Sequence, residues 1–116
     1  MKFICLVYAE PGALSGLSPE ERRALDRDSL AYDQELQAHG QFLAASALQG
    51  VNTASTIRVR GGGVLIGDGP FAETKEVLCG FIFIEAADIE EAKRIAAGIP
   101  MARHGTIEVR PELDFG

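Results

Sequence analysis

Charged side chains are concentrated in the stretch that leads into one of the apolar segments of this chain. Asp68, Glu73 and Lys75 lie within eight residues of each other and next to Phe71. A carboxylate held beside a cavity can remove a proton, and an ammonium group can bind an anion or lower the pKa of a neighbouring carboxyl group. The stretch therefore predicts a site with Asp68 as catalytic base. Phe71, Glu73 and Lys75, together with Tyr8 at the end of the first apolar strand, are the predicted substrate-binding residues.

The same stretch also has the composition of a rigid turn. Asp68 can bond its own backbone, Gly69 can take a positive φ, and Pro70 fixes the exit. A stiff frame suits a site, so the two interpretations are compatible. The spacing Gly67-x-Gly69-x-x-Ala72 formally matches a dinucleotide fingerprint, but proline and a strand follow where that fingerprint needs a helix. We therefore predict no cofactor.

Two histidines are the remaining candidates for acid–base or metal chemistry. His39 falls in the last turn of a predicted helix, where the negative end of the helix dipole favours a cation, so a capping role is expected. His104 precedes the last predicted strand, near Arg103 and Arg110. It is the second predicted catalytic residue, with an ordinary exposed loop position as the alternative. Two distant histidines without a Cys-x-x-Cys pattern predict no metal site.

Length and composition limit the class of protein. The chain has 116 residues, is 47% hydrophobic and 24% charged, and carries a formal charge of −6, which predicts one globular domain over residues 1–116. The acidic excess disfavours phosphate backbones, so no nucleic-acid partner is expected. No apolar run approaches the roughly 20 residues of a membrane span, and no signal-peptide cleavage site is recognised. We predict a cytoplasmic protein without a membrane partner, in which Cys5 and Cys79 are free thiols.

Hydrophobic periodicity and turn residues predict eight elements. The clearest helix begins at Ser18–Glu21, which combines an N-cap, proline at the first helical position and a capping-box glutamate. Its amphipathic stripe runs through Leu25, Ser29, Tyr32 and Leu36, with His39 continuing it and Gly40 as the stop. The predicted strands span residues 2–8, 41–49, 55–60, 64–66, 78–85 and 106–110, and the predicted helices span about 19–39 and 89–97.

The order of these elements is β-α-β, a β-hairpin, and a second β-α-β, which predicts an α+β, ferredoxin-like antiparallel sheet. Right-handed crossovers place both helices on the same face of that sheet. The strand residues 3–8 and 78–84 are apolar on both faces, so the uncovered face would expose a patch that soluble proteins seldom tolerate. A second copy covering this face predicts a homodimer, with a ligand pocket near the junction of the two sheets.

The segment Asp68-Gly-Pro-Phe-Ala-Glu-Thr-Lys-Glu76 strongly resembles the YCII-related family, in the branch with the DGPF motif. The resemblance covers nearly the whole chain. It includes the first strand up to Tyr8, the segments Leu17–Glu21, Ile57–Arg60 and Gly105–Pro111, and Gly80. It implies a dimeric α+β barrel fold, in agreement with the two-sided strands.

Better-understood YCII-like enzymes are lyases that eliminate hydrogen chloride from chlorinated lactones with a His-Asp dyad. That dyad cannot be carried over, because residues 9–38 contain no histidine and Asp28 and Asp33 therefore have no obvious imidazole partner. Some relatives occur near or fused to alternative sigma factors, which suggests a regulatory association. The first functional hypothesis is binding of a small organic acid, or lyase- or isomerase-like chemistry on it, in a pocket framed by Asp68–Phe71. The alternative is a non-catalytic dimeric module that acts through protein contacts.

Overall fold

The computed structural model describes residues 1–115, and the predicted order of elements is confirmed over them. The strands are β1 (Lys2–Ala9), β2 (Phe42–Ala47), β3 (Ser55–Arg60), β4 (Gly63–Asp68), β5 (Val77–Glu85) and β6 (Thr106–Pro111). The helices are α1 (Pro19–Ala38) and α2 (Ile89–Gly98), and short 3₁₀ helices lie at Val51–Thr53 and Pro100–Arg103.

The strands form two separate sheets. The larger is antiparallel with the order β2-β5-β1-β6, so the first strand lies in its interior and pairs Cys5 with Ile82 on one side and Val109 on the other. The strands β3 and β4 pair with each other as a two-stranded ribbon. The larger sheet with its two helices is the predicted α+β, ferredoxin-like arrangement, and the ribbon is the predicted hairpin insertion.

Local contacts fix α1 where the sequence places it. The N–H of Glu21 donates to Ser18 Oγ at 3.1 Å, and the N–H of Ser18 donates to the Glu21 carboxylate at 3.0 Å, so the predicted capping box is formed. These bonds are the main reason that the pKa of Glu21 is lowered. Farther along, the hydroxyl of Tyr32 donates to the carbonyl of Ile95 at 2.6 Å and ties α1 to α2.

The two faces of the larger sheet have different surroundings. Both helices pack on one face, where Phe3, Cys5 and Ile84 are fully buried. The other face, here called the open face, presents half-buried apolar side chains on the two central strands. They are Ile4, Leu6, Tyr8, Phe81 and Phe83. The prediction that the helices cover one face and leave apolar residues on the other agrees with this arrangement.

Two details differ from the prediction. The second strand is shorter than residues 41–49, and it is mostly exposed, because it lies at the sheet edge and carries a bulge beside Leu43. The apolar stripe of α1 ends at Leu36, since His39 is exposed and instead caps the helix, with its N–H donating to the carbonyl of Glu35.

Neither α1 nor any other helix within residues 1–115 combines the length and the apolar character that crossing a membrane requires.

Candidate functional site

A cavity of about 700 Å³ lies between α1 and the helix-covered face of the sheet. Its walls come from the end of β1 and the loop after it, from α1, from β2 through residue 52, from the start of β5, and from residues 99–101. The space exists in part because Ala45 and Ala47 are small where β2 faces α1. The volume is that of a site for a small organic ligand.

Asp33 is the carboxylate in this cavity that stands without a partner. It lies on α1, is half-buried, and has no hydrogen bond or ion pair with any described residue from 1 to 115. Burial raises the pKa of Asp33 above its ordinary value of 3.8, because desolvation disfavours the charged form. An unpaired carboxyl group with a raised pKa is a stronger base than an ordinary surface aspartate, and it is held beside space that a ligand can fill.

A positive charge lies in the same cavity wall. Arg22 Nε is 3.4 Å from Asp26 Oδ1, and both residues line the cavity, as does Ser29. With Asp33 they form a polar stripe at spacings of four, three and four, which is one face of a helix. A ligand anion can exchange for Asp26 at the guanidinium group, since an exposed arginine–aspartate pair is weak.

The polar stripe is a signal that sequence reasoning missed. The residues at 22, 26, 29 and 33 lie beside the apolar stripe of α1, and polar residues in that position usually belong to a solvated helix face. Asp28, the other carboxylate considered for a dyad, has a different environment. Its Oδ2 accepts from Arg103 at 3.3 Å, which ties the 3₁₀ helix at Pro100–Arg103 to α1.

The predicted site residues at the end of the hairpin lie apart from the cavity. Asp68 ends β4 and is exposed, Phe71 is 77% exposed, and Glu73 is exposed; none of the three lines the cavity. Gly69 has a φ of 87°, and its N–H donates to the carbonyl of Ala54 at 2.7 Å. The turn therefore has the left-handed glycine that the rigid-turn interpretation predicts.

Three other predicted residues lie at or beside strand ends at one end of the sheet, where β1 ends and β5 and β6 begin. Tyr8 pairs with Thr106, whose hydroxyl donates to the Glu76 carboxylate at 3.0 Å, and His104 lies two residues before Thr106. Lys75 Nζ lies 3.5 Å from the carboxylate of Glu10, which lines the cavity. Lys75 therefore lies one ion pair away from the cavity rim.

The side chains of Tyr8 and His104 are not part of the cavity wall. Tyr8 belongs to the open face, on the opposite side of the sheet from α1. His104 follows the 3₁₀ helix at Pro100–Arg103, where its N–H donates to the carbonyl of Met101 at 3.0 Å.

The two cysteines are free, and they differ in access to the cavity. Cys79 lines it, is half-buried, and donates to the carbonyl of Val77 at 3.3 Å. Cys5 is fully buried in the core, and burial raises the pKa of Cys5 to about 11. Within the described part of the chain, no three His, Cys, Asp or Glu side chains come together in a way that would hold a metal ion.

Comparisons with known proteins place this fold in a family. The chain is 34% identical over 113 residues to an uncharacterised protein of Rhizobium meliloti (strain 1021), covering 96% of this chain and 91% of that protein. A similar solved structure is the 5-chloro-2-hydroxyhydroquinone dehydrochlorinase TftG of Burkholderia phenoliruptrix AC1100, in complex with 2,5-dihydroxybenzoquinone. The TM-score is 0.57 at 18% identity, covering 100% of this chain and 96% of that one, so the two share a fold. The YCII-related domain matches residues 1–116. The chain belongs to the YCII-related family.

Proposed function

We propose that this protein is an enzyme that binds a small organic acid in the cavity and moves a proton on it, in a lyase- or isomerase-like reaction. The observation that carries the proposal is the position of Asp33. Its carboxylate is half-buried, without a partner among the described residues, and beside empty volume. A structural aspartate would be paired or hydrogen-bonded, because an unpaired buried charge costs stability.

The chemistry of the cavity wall supports the substrate class. Most of the wall is apolar, with Leu25, Ile82 and Met101 among its side chains, and its charged residues are Arg22 and the carboxylates of Glu10, Asp26 and Asp33, so Arg22 is the one place in the wall for an anionic group. A ligand with an apolar body and one anionic group matches such a wall. In this proposal Asp33 removes a proton from a carbon or oxygen at one end of the ligand, and Arg22, about three helical turns away on α1, binds an anionic group at the other end.

The fold relative adds support of a general kind. TftG is named a dehydrochlorinase, and its complex contains a hydroxylated quinone. A dehydrochlorination removes a proton and a chloride ion, so the proton-transfer half of such a reaction needs a base. We propose a proton-removing step for this chain as well. The proposal does not specify a leaving group.

The proposal gives the predicted residues a different weight. Asp33 replaces Asp68 as the proposed base, because Asp68 is exposed and lies outside the cavity. His104 stays a predicted catalytic residue, and Phe71, Glu73, Lys75 and Tyr8 stay predicted substrate contacts. Lys75 is best supported among them, because it contacts Glu10 at the cavity rim. Membership of the DGPF branch also stays a prediction.

We also propose that the chain forms a homodimer through the open face and is located in the cytoplasm. The apolar side chains Ile4, Leu6 and Phe83 on that face support the dimer, since a second copy would remove them from water. Two free thiols are in keeping with a reducing compartment.

The alternative function is a non-catalytic dimeric module with a regulatory role through protein contacts. It predicts a different result in the ligand-binding experiment described below. Such a module needs no ligand in the cavity. A sigma factor or other partner would bind equally well to a chain whose cavity is filled.

A cavity-filling substitution tests the enzyme proposal. Ala45→Leu places a larger side chain in the cavity, and Ala44→Leu is the matched control, because Ala44 pairs with Phe83 on the other face of the same strand. Small organic acids and hydroxylated quinones are screened for an increase in Tm. Compounds that bind are then incubated in D₂O, and proton exchange is followed by NMR.

We expect binding and exchange with the wild type and with Ala44→Leu, and loss of both with Ala45→Leu. Binding that persists in Ala45→Leu would move the site out of the cavity. Binding without any exchange or turnover would make the protein a ligand carrier instead of an enzyme.

A further inference from the structure

The hairpin of β3 and β4, here called the arm, has an apolar side that the rest of its own chain leaves uncovered. Cross-strand pairs place Ile57 opposite Ile66 and Val59 opposite Val64 on this side. These four side chains are 64%, 71%, 59% and 63% exposed, in that order. Adjacent aliphatic side chains with so much surface in water are unusual on a monomeric protein and mark an interaction surface.

The other side of the arm has a different character. It carries Arg58 opposite Leu65, and Thr56 opposite Gly67. The arm is therefore amphipathic, with four aliphatic side chains on one side and Leu65 as the one large apolar side chain on the other. This alternation is what a two-stranded ribbon needs if one side packs on another surface.

The shape of the chain places the arm outside the body. The radius of gyration is 16.2 Å, whereas a compact chain of this length has about 13 Å. Within residues 1–115, β3 and β4 form a sheet that no other strand joins. A two-stranded hairpin alone is marginally stable in water, so an arm with this composition needs a surface to pack on.

Charge identifies a second copy of this chain as the partner. The arm, residues 55–68, contains two arginines and one aspartate and so carries a formal charge of +1, while the whole chain has −6, so the remainder carries −7. The arm is thus attracted to the body of another copy. An anionic membrane or a nucleic acid would be repelled by that body.

The size of the proposed dimer interface leads to the same partner. A stable interface takes about 20–30 residues from each copy. The open face consists of outward positions on four short strands and carries fewer than that. An arm that reaches over the partner's body would supply the missing contacts.

We propose that the apolar side of the arm packs against the body of a second copy of this chain, so that the two arms of a dimer embrace it reciprocally. The contact is isologous, because each copy gives one arm and receives one. It extends the interface made by the open face, and it does not depend on any reaction in the cavity.

Two substitutions at adjacent positions test this contact. Ile66→Asp places a charge on the apolar side, and Leu65→Asp places the same charge on the other side of the same strand, where Leu65 is 58% exposed. Association is measured by sedimentation velocity over a range of micromolar concentrations. We expect Ile66→Asp to raise the dimer dissociation constant about tenfold or more, and Leu65→Asp to leave it near the wild-type value.

Further variants keep the result interpretable. Ile57→Asn removes an apolar side chain without adding a charge, and it should weaken the dimer in the same direction if Ile66→Asp fails to fold. Leu6→Asp on the open face tests the sheet contact separately. The proposal is overturned if Ile66→Asp and Ile57→Asn associate as the wild type does, if Leu65→Asp weakens the dimer equally, or if the wild type is a monomer. A dimer that only Leu6→Asp disrupts would keep the sheet contact and remove the arm.

Discussion

Asp33 and Asp68 are the same side chain in two contrasting regions of this molecule. Asp33 lies on α1, half-buried beside a cavity of about 700 Å³, and burial raises its pKa. Asp68 ends β4, is exposed, and precedes a glycine turn at the base of the arm. The sequence around Asp68 is rich in charged residues, whereas Asp33 is surrounded by ordinary helix sequence. Burial shifts the pKa of a carboxyl group and so changes its strength as a base, whereas a cluster of charged residues in the sequence can equally form a turn.

The largest expected effect comes from removing each carboxylate in turn. On a substrate found by the ligand screen, Asp33→Asn should lower kcat about 10²- to 10⁴-fold, the usual contribution of a general base. Asp68→Asn should change kcat by about twofold or less, as expected for an exposed position. In the wild type, activity should rise as pH increases through the raised pKa of Asp33. A reversed order of the two variants in steady-state kinetics would make Asp68 the base.

The next largest expected effect is on the rate at which a thiol reagent modifies Cys79, which depends on whether a ligand occupies the cavity. Cys79 lines the cavity, whereas Cys5 is fully buried with a pKa raised to about 11. A thiol reagent should modify Cys79 first, and Cys5 only when the protein opens. A ligand at 100 times its Kd should slow Cys79 labelling about 100-fold, if labelling requires an empty cavity. Mass spectrometry after proteolysis assigns the modified cysteine, and ligand-independent labelling of Cys79 would place the ligand elsewhere.

Arg22 and Arg23 are adjacent arginines on α1, and comparing their variants distinguishes a role in the cavity from a role on the solvent-exposed face of the helix. Arg22 lines the cavity beside Asp26, while Arg23 is exposed and lies outside it. Arg22→Gln should weaken binding of an anionic ligand about tenfold, because a charge-assisted hydrogen bond is lost. Arg23→Gln is the control and should bind as the wild type does. Calorimetric titration measures both constants, and equal losses would indicate a general effect of charge on α1.

The smallest expected effect is on stability. Because burial raises the pKa of Asp33 above 3.8, the folded state holds its proton more tightly than the unfolded state. Stability therefore falls as pH increases from about 3.8 through the folded pKa. Asp33→Asn should raise Tm at pH 7 by about 1–3 °C, an effect limited by solvent screening. The gain should disappear in thermal melts below pH 3.8, and Asp68→Asn should show no such pH-dependent difference.

Much of the fold was predictable because its signals are local. The capping box at Ser18 and Glu21 marked the start of α1, and alternation marked β1, β3 and β6 before any tertiary contact was considered. Two-sided apolar strands indicated which strands lie in the middle of the sheet. The exact extent of β2 was less predictable, since an edge strand lacks the burial that makes such a pattern strong.

The candidate site was less predictable than the fold. Arg22, Asp26 and Asp33 are ordinary helical residues in the sequence, and they become a candidate site because the small residues Ala45 and Ala47 on the sheet leave space opposite them. Asp33 has no predicted dyad partner, because residues 9–38 contain no histidine. The charged stretch around Asp68 predicts a site through its composition, but composition carries no information on which carboxylate is desolvated.

The sequence by itself determined the elements, their order and therefore the ferredoxin-like topology, because caps, turns and alternation act over a few residues. It also determined that one sheet face keeps apolar side chains outside the cover of the helices. Tertiary structure alone decided which carboxylate is desolvated and where a ligand has room, since a cavity is formed by residues from β1, α1, β2 and β5 that are distant in the chain. Desolvation is a property of the packed surroundings, so the raised pKa of Asp33 arises only when those elements come together.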